Sequence, residues 1–583
     1  MENTMVHLKV NGIDVEVPAG STILQAAKAA NIDIPSLCYL KDINCIGSCR
    51  VCVVEYSEGG RPGRGLAAAC VYPVSEGMEV QTNTPKVRKS RKTTLELLLS
   101  THNKKCLSCE RSENCELQRL SRDYGVDEDR FINEGTRYEI DDSSAYVVRD
   151  NNKCINCKRC VAACEKLQSV ACIGEIRRGY DTHIGCAFDG KLGDAPCVGC
   201  GQCIVACPVG ALTEKDNTQD VWNAMADPEK EVVFFTAPSV RATLGEAFGN
   251  PVGTNVEGKM VAAIRRLGNV KVFNMDVTAD LTIMEEANEL IERITTGGTL
   301  PMFTSCCPGW IKFCEHYYPD FLPHLSSCKS PQQMFGAVLK SYYCQKNNID
   351  PNKLFVVSVI PCTAKKFEVT REEQRSAEYD DVDVALTTRE LARMIKRAGL
   401  DFNALPEEKF DDPFEVASGA GAIFGATGGV MEAALRTAAF KLDGKSEALV
   451  FNEIRGTQGI KEAEYTVGGV TVKVAVCSGL ANARTLIEAI NKGEKDYQFV
   501  EVMACPGGCI NGGGQPYQPD TVRNNIDLKA LRAKALYDLD DKMALRKSHE
   551  SPVMDLLYND FYKQPGSHEA HKYLHTTYVK RGH

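Results

Sequence analysis

The start of the chain alternates between apolar and polar residues in a way that predicts a β-hairpin. Residues 6–10 and 13–17 each repeat this alternation at every second position. Asn11-Gly12 separates them, and this dipeptide favours the two-residue turn that joins antiparallel strands. Residues 21–30 then predict a short helix that begins near a Ser or Thr cap. The chain therefore begins with a small β-rich unit.

Residues 226–583 show the longer apolar runs of a large α/β unit. Residues 232–236 and 354–360 are predominantly apolar and predict buried strands. Between them, residues 258–267 and 280–294 follow the helical period. This alternation predicts two doubly wound lobes with a site between them. No G-x-G-x-x-G motif follows a strand, so we expect no dinucleotide-binding site of that kind.

Composition and charge exclude several classes of protein. The chain has 583 residues, which at about 150 residues per domain predicts three to five domains. Its net charge of −9 argues against a nucleic-acid-binding protein. No apolar run approaches the roughly 20 residues of a membrane helix, and the first residues lack the apolar stretch of a signal peptide. We expect a cytoplasmic protein of multidomain α/β and α+β class, without nucleic-acid or membrane partners.

Cysteine is the exception to this ordinary composition. The chain holds 27 cysteines, and most of them occur at short fixed spacings. In a reducing compartment such clusters are typical of metal ligands rather than of disulfides. We therefore expect a metalloprotein.

Residues 1–85 carry the first cysteine set. A close C-x2-C pair with two outlying cysteines is the ligand pattern of a [2Fe–2S] cluster held by four thiolates. The candidate ligands are Cys38, Cys49, Cys52 and Cys70. The alternative, a group of scattered buried thiols, is disfavoured by the loop position beside Gly47. The unit resembles plant-type ferredoxins in the long-spaced form found in respiratory complex I, which implies a β-grasp fold. Cys45 stays outside the ligand set.

Residues 86–145 begin with a polar, basic helix, predicted at 86–100, and continue with a histidine and three cysteines. The spacing H-x3-C-x2-C-x5-C comprises His102, Cys106, Cys109 and Cys115. On ligand chemistry alone these four suit zinc as well as a [4Fe–4S] cluster. Redox-silent zinc between two iron–sulfur patterns would interrupt an electron path, and the segment resembles the one-His, three-Cys [4Fe–4S] site of complex I. We therefore expect a [4Fe–4S] domain.

Residues 146–225 contain the pattern C-x2-C-x2-C-x3-C twice. This is the signature of bacterial two-cluster ferredoxins, in which the fourth cysteine of each run binds the other cluster. The predicted ligand sets are Cys154, Cys157 and Cys160 with Cys207, and Cys197, Cys200 and Cys203 with Cys164. Cys172 and Cys186 lie between the runs and fit neither set. With the two modules before it, this domain predicts a row of four clusters that carries electrons.

Three further cysteine segments lie far apart in the remainder of the chain. They are Thr304-Ser305-Cys306-Cys307-Pro308, Pro361-Cys362-Thr363 and Ala504-Cys505-Pro506-Gly507-Gly508-Cys509. Cysteines this far apart form no local metal knuckle, although a large fold can bring four of them to one buried site. The three segments resemble the signature segments of [FeFe]-hydrogenases. The order of the modules resembles the long, four-accessory-cluster form of that family over nearly the whole chain.

The resemblance implies a ligand set and a reaction. Cys307, Cys362, Cys505 and Cys509 would hold the [4Fe–4S] part of an H-cluster, and Cys509 would bridge it to a two-iron unit with CO, cyanide and an azadithiolate. The reaction would be 2H⁺ + 2e⁻ ⇌ H₂. Cys306 would be the first proton donor to the bridging amine, the alternative being a spare thiol beside a ligand. The expected cofactors are this H-cluster, one [2Fe–2S] cluster and three accessory [4Fe–4S] clusters.

The same resemblance assigns roles to residues around that cluster. Glu286 and Glu289 are three residues apart in a predicted helix and share one face. Such a pair is usually solvated. The resemblance instead implies a proton relay, with Ser326 between the two acids. The implied pocket residues are Lys365 toward one cyanide, Pro238 and Ser239 toward the other, and Gln332.

Two departures from the family pattern bear on partners. Many stand-alone members have His where this chain has Pro506, and Met where it has Ile360. The Pro form resembles catalytic subunits of NAD-linked hydrogenases, which implies ferredoxin and flavin- and NAD-binding iron–sulfur subunits as partners, with electron bifurcation. The alternatives are a stand-alone ferredoxin hydrogenase and, in another class, an H₂-sensing iron–sulfur protein. The tail from about residue 520 resembles the family's small subunit, and its His568, His571 and His575 are expected on a solvated helix face.

Overall fold

The computed structural model describes residues 4–131, 137–376, 379–443, 451–467 and 469–582. Within these ranges the chain forms successive units, and separate apolar clusters fill the N-terminal unit, the cysteine-rich units and the two lobes of the large unit. None of the helices described is both long and apolar enough to cross a bilayer.

The N-terminal unit is a mixed sheet with one helix against it. Its elements are β1 (Met5–Val10), β2 (Ile13–Pro18), α1 (Ile23–Ala29), β3 (Val53–Glu58), β4 (Arg61–Pro62), β5 (Ala67–Ala68) and β6 (Glu79–Gln81). The strand order is β2-β1-β6-β3-β4, with β5 against β3, and only β1 and β6 run parallel. The predicted hairpin is confirmed, because Asn11 and Gly12 adopt positive φ at its turn. Thr22 and Gln25 form a capping box that starts α1.

The two cysteine-rich units that follow are short on regular structure. Their elements are α2 (Pro85–Ser100), α3 (Glu116–Asp123), β7 (Val147–Arg149), α4 (Arg159–Ala162), β8 (Gly174–Ile176), β9 (His183–Gly185), α5 (Gln202–Ala206) and β10 (Leu212–Glu214). The backbone repeats with the cysteine pattern, since α4 follows a left-handed Lys158 and α5 a left-handed Gly201 at the same place in each run. The outer strands β7 and β10 pair antiparallel and close the repeat.

The large unit contains two four-stranded sheets. Its strands are β11 (Glu231–Thr236), β12 (Val270–Asn274), β13 (Met302–Phe303), β14 (Leu354–Ile360), β15 (Val384–Thr387), β16 (Ile460–Val467), β17 (Val470–Ser478) and β18 (Phe499–Met503). One sheet has the order β12-β11-β14-β15 and is wholly parallel. The other has the order β13-β18-β17-β16, in which only the edge strand β16 is antiparallel. The unit is therefore of mixed α/β content, and a hairpin lies at one edge of its second sheet.

Helices cover both sheets. They are α6 (Thr218–Ala226), α7 (Pro238–Arg241), α8 (Glu257–Arg265), α9 (Asp276–Thr296), α10 (Pro308–Tyr317), α11 (Pro331–Val338), α12 (Cys344–Asn347), α13 (Ala364–Glu368), α14 (Thr388–Arg397), α15 (Gly419–Ala422), α16 (Gly429–Asp443) and α17 (Leu480–Asn491). The predicted helices at 258–267 and 280–294 correspond to α8 and α9, and α9 extends beyond its prediction at both ends. The longer α9 carries the two acids of the predicted relay.

The C-terminal tail packs along the large unit. Its helices are α18 (Asp520–Arg523), α19 (Leu528–Lys542), α20 (Pro552–Leu557) and α21 (His568–Leu574). Arg532 on α19 is 2% exposed and donates two hydrogen bonds, of 2.8 and 2.6 Å, to Glu246, which is 1% exposed. A third bond reaches the carbonyl of Ile510 at 3.0 Å. This buried, bidentate pair fixes α19 beside the loop that contains Cys509.

Replacing Arg532 with Met is expected to loosen the tail. The variant keeps an apolar stem but leaves Glu246 buried without its cation, and breaking such a pair costs about 3–5 kcal/mol. We expect a lower apparent melting temperature and faster release of the tail by limited proteolysis. Lys534→Met on the same helix is the matched control, because Lys534 forms an exposed pair with Asp538 worth less than about 0.5 kcal/mol. Equal behaviour of the two variants would contradict this account of the tail.

Candidate functional site

Four cysteine thiols converge where the two sheets of the large unit meet. Cys362 follows β14 and Cys505 follows β18, while Cys307 precedes α10 and Cys509 opens a single helical turn. In open α/β sheets, sites form where loops leave the carboxyl ends of the strands. Burial raises the pKa of all four thiols, and the charges of their neighbours within the set add to the effect at Cys362, Cys505 and Cys509. The structure therefore brings the four predicted ligands together.

Polar side chains form a buried network beside these thiols. The Lys365 ammonium donates to the carbonyl of Cys306 at 3.2 Å and to Glu368 at 2.8 Å. Gln332 donates to the same Glu368 oxygen at 3.0 Å and accepts from Ser358 at 2.8 Å. Gln332 and Lys365 therefore share Glu368 as their acceptor, and this network orients the Lys365 ammonium.

The loop after β11 lies against this site as well. Pro238 is the first residue of α7, and Ser239 follows it with its hydroxyl buried and unpartnered among the described residues. Gly425 allows close packing there, since a Cβ on it would lie 3.1 Å from the Cβ of Ser239. An unpartnered buried hydroxyl is a feature typical of ligand sites.

Two carboxyl groups of α9, Glu286 and Glu289, lie on the side of the site where Cys306 is found. Glu286 is fully buried, and among the described residues its two oxygens have no hydrogen-bond partner of normal geometry. Burial raises the pKa of Glu286 to about 8, the charge of Glu289 adds to the rise, and Ser326 opposes it. Ser326 donates to Glu289 at 2.9 Å, and Arg293 donates to the other Glu289 oxygen at 2.6 Å. Because Glu286 is buried and Glu289 is bonded on both oxygens, the solvated-face interpretation of this pair is wrong.

The thiol of Cys306 belongs to the same group. Burial raises its pKa well above the usual range, and the nearby charge of Glu286 is the next cause. A neutral thiol and a neutral carboxyl can hand on a proton without creating a buried charge pair, provided that each group takes up one proton as it gives one up.

Residues that the sequence did not indicate also surround Glu289. Ser327 donates to it from both its backbone and its hydroxyl, and the Ser327 hydroxyl contacts Nδ1 of His575 at 2.8 Å. Nε2 of His575 lies 3.1 Å from Glu285. The expectation of a solvated helix face is therefore wrong for His575. This residue follows the end of α21 and pairs with Cys328 across a short bridge, so helical periodicity gave no signal for its position.

The four N-terminal candidate ligands also lie together. Contact with Cys38 raises the pKa of Cys49 and of Cys70, and contact with Cys52 also raises the pKa of Cys70, so the four thiols are neighbours. Cys45 lies just outside this group, where its thiol contacts the carbonyl of Cys70 at 2.5 Å.

The three cysteines of the His-and-Cys motif lie together, and its histidine is a buried imidazole. The charge of Cys109 contributes to the raised pKa of both Cys106 and Cys115, so the three thiols are neighbours. Burial lowers the pKa of His102 to about 4, which keeps the imidazole neutral at pH 7. Its Nδ1 is buried and has no hydrogen-bond partner among the described residues. A neutral imidazole with a free nitrogen is the form in which histidine binds a metal.

The eight cysteines of the double pattern line one cavity, and Cys172 lines it too. The charge of Cys207 contributes to the raised pKa of Cys154, Cys157 and Cys160, and that of Cys164 to the raised pKa of Cys203. The fourth cysteine of each run therefore faces the other run. Cys172, which the spacing left outside both sets, lies beside one of them, because its Sγ is 3.7 Å from that of Cys164. Cys186 instead meets Arg149 at 3.7 Å.

Backbone contacts connect these cysteine groups. The Asn44 amide donates to the carbonyls of Cys38 and Cys157, at 2.8 and 3.1 Å. A Cβ on Gly210 would lie 2.7 Å from Sγ of Cys109. Both N-terminal groups therefore border the Cys154–Cys157–Cys160–Cys207 set, which favours a branched arrangement over the expected single row.

At the inner end, the double-pattern unit touches the large unit. A Cβ on Gly513 would lie 2.4 Å from the carbonyl oxygen of Cys200 and 2.6 Å from Cα of Gly201. Thr363, next to Cys362, donates to the carbonyl of Gly199 at 2.6 Å. Only residues without a Cβ allow the two loops to come this close.

The donor chemistry suits iron–sulfur groups. Every predicted ligand set consists of thiols, and one set also contains the imidazole of His102. Soft donors of this kind select zinc or iron–sulfur clusters over Mg²⁺ or Ca²⁺. The unpartnered Ser239 hydroxyl and Glu286 oxygens add polar groups beside the innermost set.

Family models match the chain in the order of its units. They describe a 2Fe-2S iron–sulfur cluster binding domain at 3–85, an NADH-ubiquinone oxidoreductase-G iron–sulfur binding region at 91–130 and an NADH-quinone oxidoreductase subunit 3 ferredoxin-like domain at 144–213. Residues 230–513 match the C-terminal domain of the iron-only hydrogenase large subunit, and residues 526–581 match the iron hydrogenase small subunit.

Relatives extend this similarity to the whole chain. The NADP-reducing hydrogenase subunit HndD of Solidesulfovibrio fructosivorans is 46% identical, with 99% of each chain covered. Iron hydrogenase 1 of Clostridium pasteurianum is 42% identical, with 98% of this chain and 99% of that one covered. Among solved structures, the [FeFe]-hydrogenase HydA1 of Chlamydomonas reinhardtii is 39% identical with a TM-score of 0.57, over 63% of this chain and all of that one.

Glu286 is expected to hold its proton at pH 7 and to lose it near pH 8. Burial raises the pKa of Glu286 from 4.5 to about 8. Between pH 4.5 and pH 8 the folded chain therefore binds one more proton than the unfolded chain. The contribution of Glu286 to the free energy of unfolding falls as the pH rises through this range. Infrared difference spectra should show a protonated-carboxyl band that disappears above pH 8. Glu286→Gln should lack the band, and Glu292→Gln, farther along α9, should retain it. A band that disappears near pH 4.5 would contradict the burial argument.

Proposed function

We propose that this chain, which belongs to the iron-only ([FeFe]-) hydrogenase family, is the hydrogen-activating subunit of an NAD(P)-linked, electron-bifurcating complex. As a member of that family it is an oxidoreductase that interconverts H₂ with protons and electrons, and iron–sulfur domains relay the electrons. The observation that carries the hydrogenase part is the buried Cys306–Glu286 pair beside four convergent thiols. The proposal of a multi-subunit complex rests on the full-length similarity to a hydrogenase subunit named as NADP-reducing.

We assign the H-cluster to Cys307, Cys362, Cys505 and Cys509. When bound, the cluster supplies an open iron and a bridging amine at which H₂ is split or formed. The residues around it would orient the cluster, exclude water and move protons. Lys365, held by Glu368 and supported by Gln332, presents a cation toward the anionic ligands of such a group. The unpartnered hydroxyl of Ser239 is a donor on the other side.

We assign the proton path to Cys306, Glu286, Ser326 and Glu289. Cys306 exchanges a proton with Glu286, whose pKa near 8 lets it both hold and release a proton near neutral pH. Ser326 is placed to pass the proton on, because its hydroxyl already donates to Glu289. Arg293 holds Glu289 in position at the solvent side. The buried, intact relay is also the observation against an H₂ sensor, in which we would expect part of it to be lost.

We assign the electron path to four accessory clusters. Cys197, Cys200, Cys203 and Cys164 would hold the cluster nearest the H-cluster, and Cys154, Cys157, Cys160 and Cys207 the next one. From there the path would branch to the [2Fe–2S] cluster of Cys38, Cys49, Cys52 and Cys70 and to the [4Fe–4S] cluster of His102, Cys106, Cys109 and Cys115. Asn44 and Gly210 support the branch, because each brings an outer group to the same inner set.

Several finer assignments complete the proposal. The domain boundaries are 1–85, 86–145, 146–225 and 226–583, and the parallel pairing of β1 with β6 supports a β-grasp fold for the first domain. Flavin- and NAD(P)-binding iron–sulfur subunits and ferredoxin are the proposed partners, in the cytoplasm. A stand-alone ferredoxin hydrogenase is the second candidate, favoured by the 42% identity to iron hydrogenase 1.

The acceptor requirement decides between these two. We expect the complex purified anaerobically from its native source to oxidise H₂ only when NAD(P)⁺ and oxidised ferredoxin are both present, because bifurcation couples two acceptors. A viologen dye should accept electrons without either and serves as the control for an active H-cluster. Full activity with ferredoxin alone, from a lone chain of 63.9 kDa, would establish the stand-alone enzyme instead.

Cys306→Ala tests the relay. Loss of the first proton-carrying group should lower turnover by about 10²- to 10⁴-fold, while the iron content and the infrared bands of CO and cyanide persist. Cys314→Ala, a buried thiol on α10 whose Sγ contacts the carbonyl of Tyr318, is the control and should retain most of the activity. Retained activity in Cys306→Ala would overturn the relay while leaving the ligand assignment intact.

A further inference from the structure

Cys172 lies where a cluster ligand would be expected to lie. Ser169 and Ala171 both adopt positive φ, and the backbone N–H groups of Val170 and Ala171 donate to the carbonyl of Cys164 at 3.1 and 3.3 Å. The chain is thereby folded back over Cys164, and the two Sγ atoms lie 3.7 Å apart.

A second contact joins Cys172 to another thiol of the same set. Its side chain neighbours that of Cys197 as well as that of Cys164, and these two cysteines belong to the same predicted [4Fe–4S] site. The cavity that contains the eight ferredoxin-type cysteines is also lined by Cys172. Five thiols therefore surround a cluster that has four irons to bind.

Among the described residues that line the cavity, the other half of the repeat has no such fifth thiol. Cys207 occupies the position equivalent to Cys164, but Pro208 follows it and its thiol contacts the carbonyl of Val209 at 3.0 Å. Of the cysteines in the described ranges, Cys186 is the remaining one between the two runs, and it contacts Arg149. The internal repeat thus supplies a natural control.

We propose that Cys172 is an alternative ligand for the iron that Cys164 holds. In the exchange, the Cys164–iron bond breaks as the Cys172–iron bond forms, one proton moves from the Cys172 thiol to the released Cys164 thiolate, and no electron is transferred. Such an exchange needs only a rotation of the Cys172 side chain over the short distance between the two sulfur atoms. The inference rests on the proposed [4Fe–4S] cluster at this site.

An iron that has lost its only thiolate ligand tends to leave the cluster, so a reserve thiol would protect the cluster nearest the H-cluster. We expect the full-length chain with Cys164→Ala to keep the same number of [4Fe–4S] clusters as the unmodified chain, measured by iron content and by electron paramagnetic resonance after reduction. Cys172→Ala should also keep them. The double variant should lose iron and, after oxidation, show the resonance of a [3Fe–4S] cluster.

Cys207→Ala is the matched control, because it removes the equivalent ligand where no fifth thiol is present. It should behave like the double variant at its own cluster. If Cys164→Ala alone already yields a [3Fe–4S] signal of the same size as Cys207→Ala, the proposal is overturned.

A labelling experiment keeps the test decisive if cluster assembly in the variants is incomplete. In the oxidised, unmodified chain Cys172 should react with an alkylating reagent under mild unfolding before the cluster ligands do, and in Cys164→Ala it should become as resistant as Cys197. Equal reactivity of Cys172 in both proteins would also overturn the proposal. Absence of a [4Fe–4S] cluster at this site in the unmodified chain would instead refute the proposed electron path, so the two failures are distinguishable.

Discussion

The close backbone contact between Gly201 and Gly513 is the constraint on which the rest of the arrangement depends. Electron transfer through protein falls steeply with distance, so the loop that bears Cys200 must lie against the loops that bear Cys362 and Cys509. A Cβ on Gly513 would lie 2.6 Å from Cα of Gly201, and a Cβ on Gly201 would lie 2.4 Å from the hydroxyl oxygen of Thr363. The left-handed φ of Gly201 also starts α5, the helix that carries Cys203. One small residue therefore sets both the local helix and the contact between units.

The two sheets place the active groups with few long-range interactions. The carboxyl ends of parallel strands lie at one edge of a sheet. The segments that follow β11, β13, β14 and β18 contain Ser239, Cys306, Cys362 and Cys505. Buried ion pairs then fix the supporting elements. Glu368 is shared by Lys365 and Gln332, and Glu246 receives Arg532 from the tail. Charges buried in this way are retained at a cost in desolvation, which is expected where they orient a functional group.

The sequence predicted the local pattern well and the spatial relations less well. The hairpin around Asn11 and the strands β11 and β14 were predictable because period and turn chemistry act within a few residues. The cysteine spacings likewise indicated their groups. The position of Cys172 against Cys164 was not predictable, because it depends on two left-handed residues, Ser169 and Ala171, that have no spacing signature. His575 was misassigned for a similar reason, since its partners Glu285 and Ser327 lie more than 240 residues away along the chain.

In the proposed function, protons leave the site along side chains and electrons leave it along iron–sulfur clusters. The burial of Glu286 connects these two routes. An acid with a pKa near 8 exists because the surrounding protein disfavours its charge. The same low polarity disfavours an unpaired change of charge at the neighbouring thiols when electrons arrive. In the proposed mechanism, a proton that moves between Cys306 and Glu286 would compensate that change at short range and so lower the cost of each electron transfer. The burial that raises the pKa of the acid would therefore also couple the proposed proton path to the proposed electron path. Since Ser326 and Arg293 hold Glu289 at the outer end, the coupling extends only as far as the point where solvent can take over the compensation.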